Sequence, residues 1–370
     1  MILQELRLRN FRIHRDTNVS FSSGINYIVG GNGQGKTSIL EAIYSLCTTK
    51  NFKSSSDVDI LMFNEDNYEI IGLIEDLTQD SVRIYFNRND KRRFYLQNSK
   101  QINRSADIIG KYPVVLLTPD DHALTQGSPS ERRKFVDSIL SQANRSYLDY
   151  FLDYSRVLKQ RTSLLNLIQF QRNGDLLKQL DAWDEKLISS GTELIKYRIQ
   201  FVELFNDFMS ESYSRIMKTE EVPGIIYSSS LLTKSDDISD LFARLVREKR
   251  EEEIRRGTNL LGPHRDDFIF NINDKPLKIY GSQGQHKTFQ VALRFAQYFY
   301  LKEQSNRNPI FLLDDVFGEL DSNRALKISE YLCEVGQTFI TLTDFSNYNF
   351  LHKNEGDRFL KINNGNLSYV

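Results

Sequence analysis

The chain has 370 residues, of which 40% are hydrophobic and 26% charged, and its formal net charge is −1. This is the composition of an ordinary soluble globular protein, long enough for two domains or for one large α/β domain carrying an insertion. It excludes a global positive field, so any contact with nucleic acid has to come from local patches.

The two cysteines, Cys47 and Cys333, offer neither metal-site spacing nor a disulfide framework. Both fall in apolar helical patterns and read as structural core residues suited to a reducing cytosol. The first residues, Met1-Ile2-Leu3-Gln4-Glu5-Leu6, read as an early strand rather than a signal peptide. No uncharged apolar run approaches the ~20 residues of a membrane span. The expected setting is cytoplasmic, with no membrane partner.

In chain order, Ile2 to Leu8, Thr17 to Phe21 and Ile25 to Val29 read as strands. The third runs into Gly30-Gly31-Asn32-Gly33-Gln34-Gly35-Lys36-Thr37, which fits the phosphate-loop pattern G-x-x-x-x-G-K-[ST] without a mismatch. After it, Ile39, Leu40, Ala42, Ile43, Leu46 and Cys47 recur at helical spacing. Strand, loop and helix are what the chemistry requires. Glycines let backbone N–H groups converge on a β-phosphate, and the positive end of the helix favours the anion. Lys36 is expected to reach the β- and γ-phosphates and the Thr37 hydroxyl to bind Mg²⁺. The chain is therefore expected to bind a nucleoside triphosphate.

A serine-rich connector, Ser54-Ser55-Ser56, leads to three strand-like segments, Tyr68 to Glu75, Ser81 to Asn87 and Arg93 to Gln97, with a turn at Asn87-Arg88-Asn89-Asp90. Tyr112 to Thr118 reads as a buried strand. At Ser128-Pro129-Ser130-Glu131 a capping box with proline at the first helical position starts a helix. From there to about Met217 the chain reads as helical, with one apolar stripe from Phe135 to Leu152, an interruption at Asn173-Gly174-Asp175, and one long helix or a pair from Leu176 to Ile216. A further helix is predicted from Asp236 to Arg256, whose charged run from Arg247 to Glu253 reads as a solvated face. The α/β pattern then returns: strands at Asp267 to Asn271 and Leu277 to Tyr280, a helix from about His286 to Glu303, a strand at Ile310 to Leu313, a helix from Arg324 to Val335, a strand at Thr338 to Leu342, and a closing hairpin of Phe359 to Ile362 with Leu367 to Val370.

Two further stretches carry chemistry. The apolar strand ending in Asp314-Asp315 would present Asp314 beside Thr37, where it can hold the metal, and Asp315 as a general base toward a water. Ser282-Gln283-Gly284-Gln285 opens a helix and forms a second anion-binding N-terminus, unless it is simply an N-cap. A second phosphate cradle in one chain is economical if it closes over the nucleotide of another copy.

Together with the phosphate loop, Ser282-x-Gly284-Gln285, Leu312-Leu313-Asp314-Asp315 and Phe317-Gly318-Glu319-Leu320-Asp321 resemble the set of ATP-binding-cassette ATPases. Leu8-Arg9-Asn10-Phe11-Arg12, Leu117-Thr118-Pro119-Asp120-Asp121, Arg132 to Asp137, Gly262-Pro263-His264-Arg265-Asp266-Asp267 and Ser282 to Lys287, in that order, resemble more narrowly the RecF family of recombinational-repair ATPases. The resemblance runs the length of the chain. It implies an α/β cassette-type ATPase head with an antiparallel β subdomain and an inserted, mostly helical lobe: residues 1–127 with the phosphate loop, 128–256 as the insertion, and 257–370 with signature, Walker B and D-loop. It implies a slow, DNA-stimulated ATPase with ATP and Mg²⁺ as cofactors, acting on gapped DNA without sequence preference, dimerising head to tail with ATP, and working with the mediators RecR and RecO. Carried across by position, the loop residues Gly30 to Thr37 and Arg12 bind ATP, Thr37 and Asp314 hold Mg²⁺, Lys36, Asp314 and Asp315 are catalytic, and Ser282 and Gly284 act in trans. Asp321 is implied at the dimer seam.

Departures temper the expected rate. Thr343-Asp344 stand where cassette ATPases carry a switch histidine, Leu117 to Asp121 lacks a Q-loop glutamine, and Asp315 is a shorter arm than glutamate. These suit a slow switch in which ATP closes a dimer and hydrolysis reopens it. The basic clusters Lys91-Arg92-Arg93, Arg132-Arg133-Lys134, Lys249-Arg250 and Arg255-Arg256 read singly as solvated surface, and doubled in a closed dimer as a salt-sensitive DNA footprint. A transporter ATPase subunit is disfavoured because it needs Leu-Ser-Gly-Gly-Gln, the Q-loop glutamine and the switch histidine. A full SMC protein needs hundreds of heptad residues, against a helical region of about 90 residues here. A metal-dependent nuclease of the overcoming-lysogenisation type needs further acidic ligands after the ATPase core. A non-hydrolysing interaction module stays open as a variant.

Overall fold

The computed structural model describes residues 1–54, 56–171, 173–217, 220–232, 237–344, 351 and 354–370. They form two compact units: Met1–Asp121, Glu211–Thr219 and Lys287–Val370 make the first, and His122–Ser210 with Glu220–His286 the second.

The first unit opens with β1 (Ile2–Phe11), β2 (His14–Ser20) and β3 (Ile25–Val29), followed by α1 (Lys36–Thr48). Next come β4 (Asn67–Glu75), β5 (Gln79–Asn87), β6 (Arg92–Gln97), β7 (Lys100–Ile102) and β8 (Val114–Leu117). The hairpin-linked strands build an antiparallel sheet in the order β2-β1-β4-β5-β6-β7. Half-buried alternation shows in β5, where Val82, Ile84 and Phe86 point inward and Ser81 and Arg83 outward. Helix α1 is buried on most of its circumference because it packs against both sheets of this unit: Ile39, Leu40, Ile43 and Leu46 share one apolar core with Leu6, Ile70 and Ile84 and with Ile28, Leu312 and Phe339.

The second unit contains α2 (His122–Gln126), α3 (Pro129–Ala143), α4 (Arg145–Phe170), most of α5 (Gly174–Ile216), β9 (Pro223–Ser228), α6 (Ile238–Arg256), β10 (Asp267–Ile272), β11 (Lys275–Pro276) and α7 (Leu277–Tyr280). Its small sheet runs β11-β10-β9. Two fully buried arginines organise its helices. Arg161 donates to Asp184 at 2.6 Å, to Glu253 at 2.6 Å and to Asn259 at 2.5 Å. Arg198 donates to Asp137 at 2.8 Å and to the Pro263 carbonyl at 2.6 Å.

Helix α8 (Gln283–Ser305) begins in the second unit and continues in the first. After it the first unit adds β12 (Ile310–Asp314), α9 (Ser322–Leu332), β13 (Thr338–Leu342), β14 (Arg358–Asn363) and β15 (Asn366–Tyr369). Its second sheet has the order β15-β14-β3-β13-β12-β8. All neighbours in it are parallel except the β14–β15 hairpin, so β14, β3, β13, β12 and β8 bring their carboxyl ends to one edge.

Several expectations are corrected. Ser128 caps α3 without a side-chain bond to the helix; its hydroxyl meets that of Ser130 at 2.7 Å instead of completing a capping box. The apolar stripe from Phe135 to Leu152 belongs to two helices, because Asn144 is extended at φ −140° and its side chain accepts from the Tyr147 N–H to start α4 anew. Of the two readings of Leu176 to Ile216, one long helix or a pair, the first holds: they lie in one 43-residue helix. Leu277–Tyr280 is a helical turn, not a strand. Cys47 is buried as expected, but Cys333 is exposed, standing just past the last turn of α9. The expected helix start at Asp236 lies outside the described residues; α6 is capped by Asp237, whose carboxylate accepts from the Ser239 N–H at 2.8 Å.

Candidate nucleotide site

Strand β3 delivers the loop Gly30-Gly31-Asn32-Gly33-Gln34-Gly35 to the carboxyl edge of the parallel strands, and the Gly30 N–H continues the ladder by donating to the Leu342 carbonyl at 3.1 Å. Glycine is needed at two places for stated reasons. A β-carbon on Gly30 would sit 2.6 Å from the Ile362 side chain and carbonyl oxygen, and Gly35 has φ +104°, in the left-handed region. Gly35 is the N-cap of α1, and no side chain caps that end. The first N–H groups of a 13-residue helix therefore face the loop with its positive end. Lys36 is buried and its ammonium folds back onto the loop, donating to the Gly30 carbonyl at 2.6 Å and the Gly31 carbonyl at 3.0 Å. Burial lowers its pKa, opposed by the nearby charges of Asp315 and Asp314.

Asp314 ends β12 and is buried. Its Oδ1 accepts from the Thr37 hydroxyl at 2.8 Å and from the Thr341 hydroxyl at 2.9 Å. The Thr341 oxygen in turn accepts from the Asp315 N–H at 2.9 Å. Asp315 itself lies in the left-handed region at φ 53°, a conformation aspartate tolerates better than most residues. A hydroxyl and a carboxylate oxygen this close are the hard oxygen donors that suit Mg²⁺. No cluster of three or more His, Cys, Asp or Glu side chains able to hold a metal occurs among the described residues.

Arg12 occupies the β1–β2 turn at φ 55° and is anchored by a bidentate pair with Glu41 of α1, 2.9 Å on each arm, and by the Asp59 carbonyl at 2.8 Å. In the second unit Ser282 and Gln285 form a reciprocal cap at the start of α8. The Ser282 hydroxyl accepts from the Gln285 N–H at 3.2 Å and the Gln285 side chain accepts from the Ser282 N–H at 2.8 Å. Gly284 lies within that first turn. Asp321 caps α9, accepting from the Arg324 N–H at 3.1 Å.

A family described as an AAA domain matches residues 5–332. A protein of Chloroherpeton thalassium named DNA replication and repair protein RecF is 41% identical over 353 residues, covering 93% of this chain and 95% of that protein. The protein of that name from Streptococcus gordonii is 36% identical over 370 residues, covering 99% and 100%. The chain belongs to the RecF family. A structure of the recombination mediator protein RecF-ATP in the RecFOR pathway superposes with a TM-score of 0.89 at 29% identity, covering 100% of this chain and 97% of that one. The head of an SMC protein matches at TM-score 0.57 with 15% identity, a likeness of fold. No helix among the described residues is long and apolar enough to cross a membrane.

Within this RecF-family chain the basic clusters are not equivalent. Arg132 is buried and donates to both carboxylate oxygens of Asp267, at 2.8 and 2.9 Å, and Arg133 donates to the Asp266 carbonyl at 2.5 Å. These two are structural, a reading that charge alone could not give. Arg250 pairs with Asp181 at 2.5 Å and Arg256 with Glu252 at 2.6 Å, whereas Lys91, Arg92 and Arg255 are exposed. Sequence reasoning also missed His14, Glu41, Thr341, Asn364 and Gly365, which touch the loop, Arg12 or Asp314. None carries a motif, and only the fold places them there.

Proposed function

We propose that this chain is an ATP-dependent DNA-binding protein of recombinational single-strand-gap repair and replication restart, which closes as a homodimer on DNA with ATP bound and reopens on slow hydrolysis. The observation that carries this is the direct Thr37–Asp314 hydrogen bond beside Lys36, at the edge where β3, β12 and β13 end. In this reading residues 30–37 cradle the phosphates, Lys36 exchanges its loop carbonyls for phosphate oxygens, and Thr37 and Asp314 hold Mg²⁺. The cation, when bound, neutralises charge on the phosphates. Asp315 accepts a proton from the water that attacks the γ-phosphorus, as the bond to the β–γ bridging oxygen breaks and ADP leaves. Ser282 and Gly284 serve the nucleotide of a second copy, and Arg12 turns toward nucleotide when ATP is bound. The lobes are residues 1–127, 128–256 and 257–370, and RecR and RecO are the protein partners.

Static light scattering at modest salt tests this, with and without ATP and Mg²⁺. Wild type should pass from monomer to dimer only with ATP, while Lys36→Arg and Ser282→Arg stay monomeric. Affinity for gapped DNA should fall steeply between 50 and 200 mM salt. A mass that never responds to nucleotide would sink the clamp, and DNA affinity indifferent to salt would sink the phosphate-backbone contact.

A further inference from the structure

The phosphate loop is gripped from outside by two elements far from it in sequence. His14 is fully buried at the start of β2. Its Nε2 lies 3.2 Å from the Gly35 carbonyl, and its Nδ1 lies 3.0 Å from the Thr17 hydroxyl and 3.2 Å from the Gly365 carbonyl. The tautomer that serves Gly35 carries its proton on Nε2, which leaves Nδ1 as an acceptor. Against His14 stands the β14–β15 turn, with Asn364 at φ 47° and Gly365 at φ 78°. The Gly365 N–H donates to the Gln34 carbonyl at 3.2 Å and the Asn364 N–H to the Gln34 side-chain oxygen at 2.5 Å. The Thr17 hydroxyl lies between the two grips, 3.0 Å from the Gly365 carbonyl and 3.0 Å from His14 Nδ1, and its single proton serves one of them at a time.

These contacts fix two successive peptide planes. The Gln34 carbonyl is held by the Gly365 N–H, and the Gly35 carbonyl by His14 together with the Ile39 N–H of α1 at 3.4 Å, all partners that the nucleotide does not supply. Every peptide among the described residues is trans, so the N–H of Gly35 and that of Lys36 must point opposite to those carbonyls. Converging N–H groups are what binds a phosphate, and holding them in place beforehand removes an ordering cost from binding.

We infer that His14 and the Asn363–Asn366 turn are positioning elements of the phosphate loop, setting nucleotide affinity through the Gln34 and Gly35 carbonyls. This rests on the reading that the loop binds ATP. Two isosteres separate the grips, because a glutamine amide reaches the place of Nε2 and an asparagine amide only that of Nδ1. The experiment is equilibrium binding of a fluorescent ATP analogue to the full chain, with thermal melting in parallel. His14→Gln should bind within about threefold of wild type, whereas His14→Asn should bind roughly tenfold or more weakly at a similar melting temperature. Gly365→Ala, whose β-carbon would meet the Ile13 carbonyl at 2.6 Å, approaches from the other grip and should weaken binding to a like degree. Lys36→Ala is the control for the nucleotide reading. If Lys36→Ala loses binding while His14→Asn and Gly365→Ala keep it, this inference is overturned alone. If His14→Gln fails as badly as His14→Asn, the Gly35 contact is not the operative one and the inference is likewise overturned. If Lys36→Ala binds as wild type does, the nucleotide reading falls with it.

Discussion

Thr341 and Asp314 face each other in register across two parallel strands, and the Thr341 hydroxyl donates to Asp314 Oδ1 at 2.9 Å while accepting from the Asp315 N–H. One side chain thus orients the proposed metal ligand and the backbone of the proposed base together. Thr341→Val keeps the volume and removes both bonds. The turnover number should fall about 10–100-fold, the range for groups that orient a metal ligand. ATP affinity should stay within about threefold. Steady-state kinetics with a separate binding titration decides it, and an unchanged turnover number refutes the role.

Asp315 sits at φ 53°, a left-handed conformation that aspartate tolerates better than glutamate. Asp315→Asn should preserve stability and abolish turnover by roughly 10²–10⁴-fold. Asp315→Glu, despite its longer arm, should gain no rate and lose about 1 kcal/mol of stability, the scale of a left-handed conformation in a less tolerant residue. A faster Asp315→Glu enzyme would show that reach, not backbone conformation, limits hydrolysis.

Arg161 lies fully buried between Asp184 and Glu253. Arg161→Met leaves buried Glu253 without its cation and Asp184 with only Arg250, 3.7 Å away, and urea unfolding of the second unit should show a loss of about 3–5 kcal/mol. A loss below about 1 kcal/mol would mean that water reaches these carboxylates readily.

His264 accepts from Tyr154 at 2.7 Å, and burial, with the charges of Arg265, Arg133 and Arg198 nearby, lowers its pKa to about 4. The unfolded chain takes up this proton near pH 6.5, but the folded chain does so only near pH 4. Its share of stability is therefore complete above pH 6.5 and declines as pH falls toward 4, by roughly 3 kcal/mol. His264→Gln should remove that part of the acid sensitivity. Parallel denaturation curves at pH 7.5 and 4.5 measure it, and equal acid losses in variant and wild type would contradict the assignment.

Much of the site was legible in the sequence because a phosphate loop is a local device: Gly30 to Thr37 and the strand before it obey short-range rules, and β3 and β13 fall where apolar runs put them. The acids at the end of β12 were legible for the same reason. Asn144 was not, because an extended residue between two apolar stretches leaves the helical period intact. Leu277–Tyr280 alternates like a strand but closes a helical turn. Arg132 looked like surface charge, since its partner Asp267 is supplied by a distant strand. His14 and Gly365 could not be found at all, because their meaning depends on which strands become neighbours.

The strand order has a consequence for how the protein is made. β3 is flanked by β13 and β14, so the strand that carries the phosphate loop leaves the ribosome with neither of its sheet neighbours yet synthesised. With roughly 300 residues still to come at about 5–20 residues per second, that interval lasts on the order of 15–60 s. Throughout it Ile25, Tyr27 and Ile28, all buried in the finished sheet, have no strand to pair with. β1 and β2, by contrast, can pair with each other and with β4 early, so the antiparallel sheet can form long before the strand that carries the phosphate loop acquires β13 and β14.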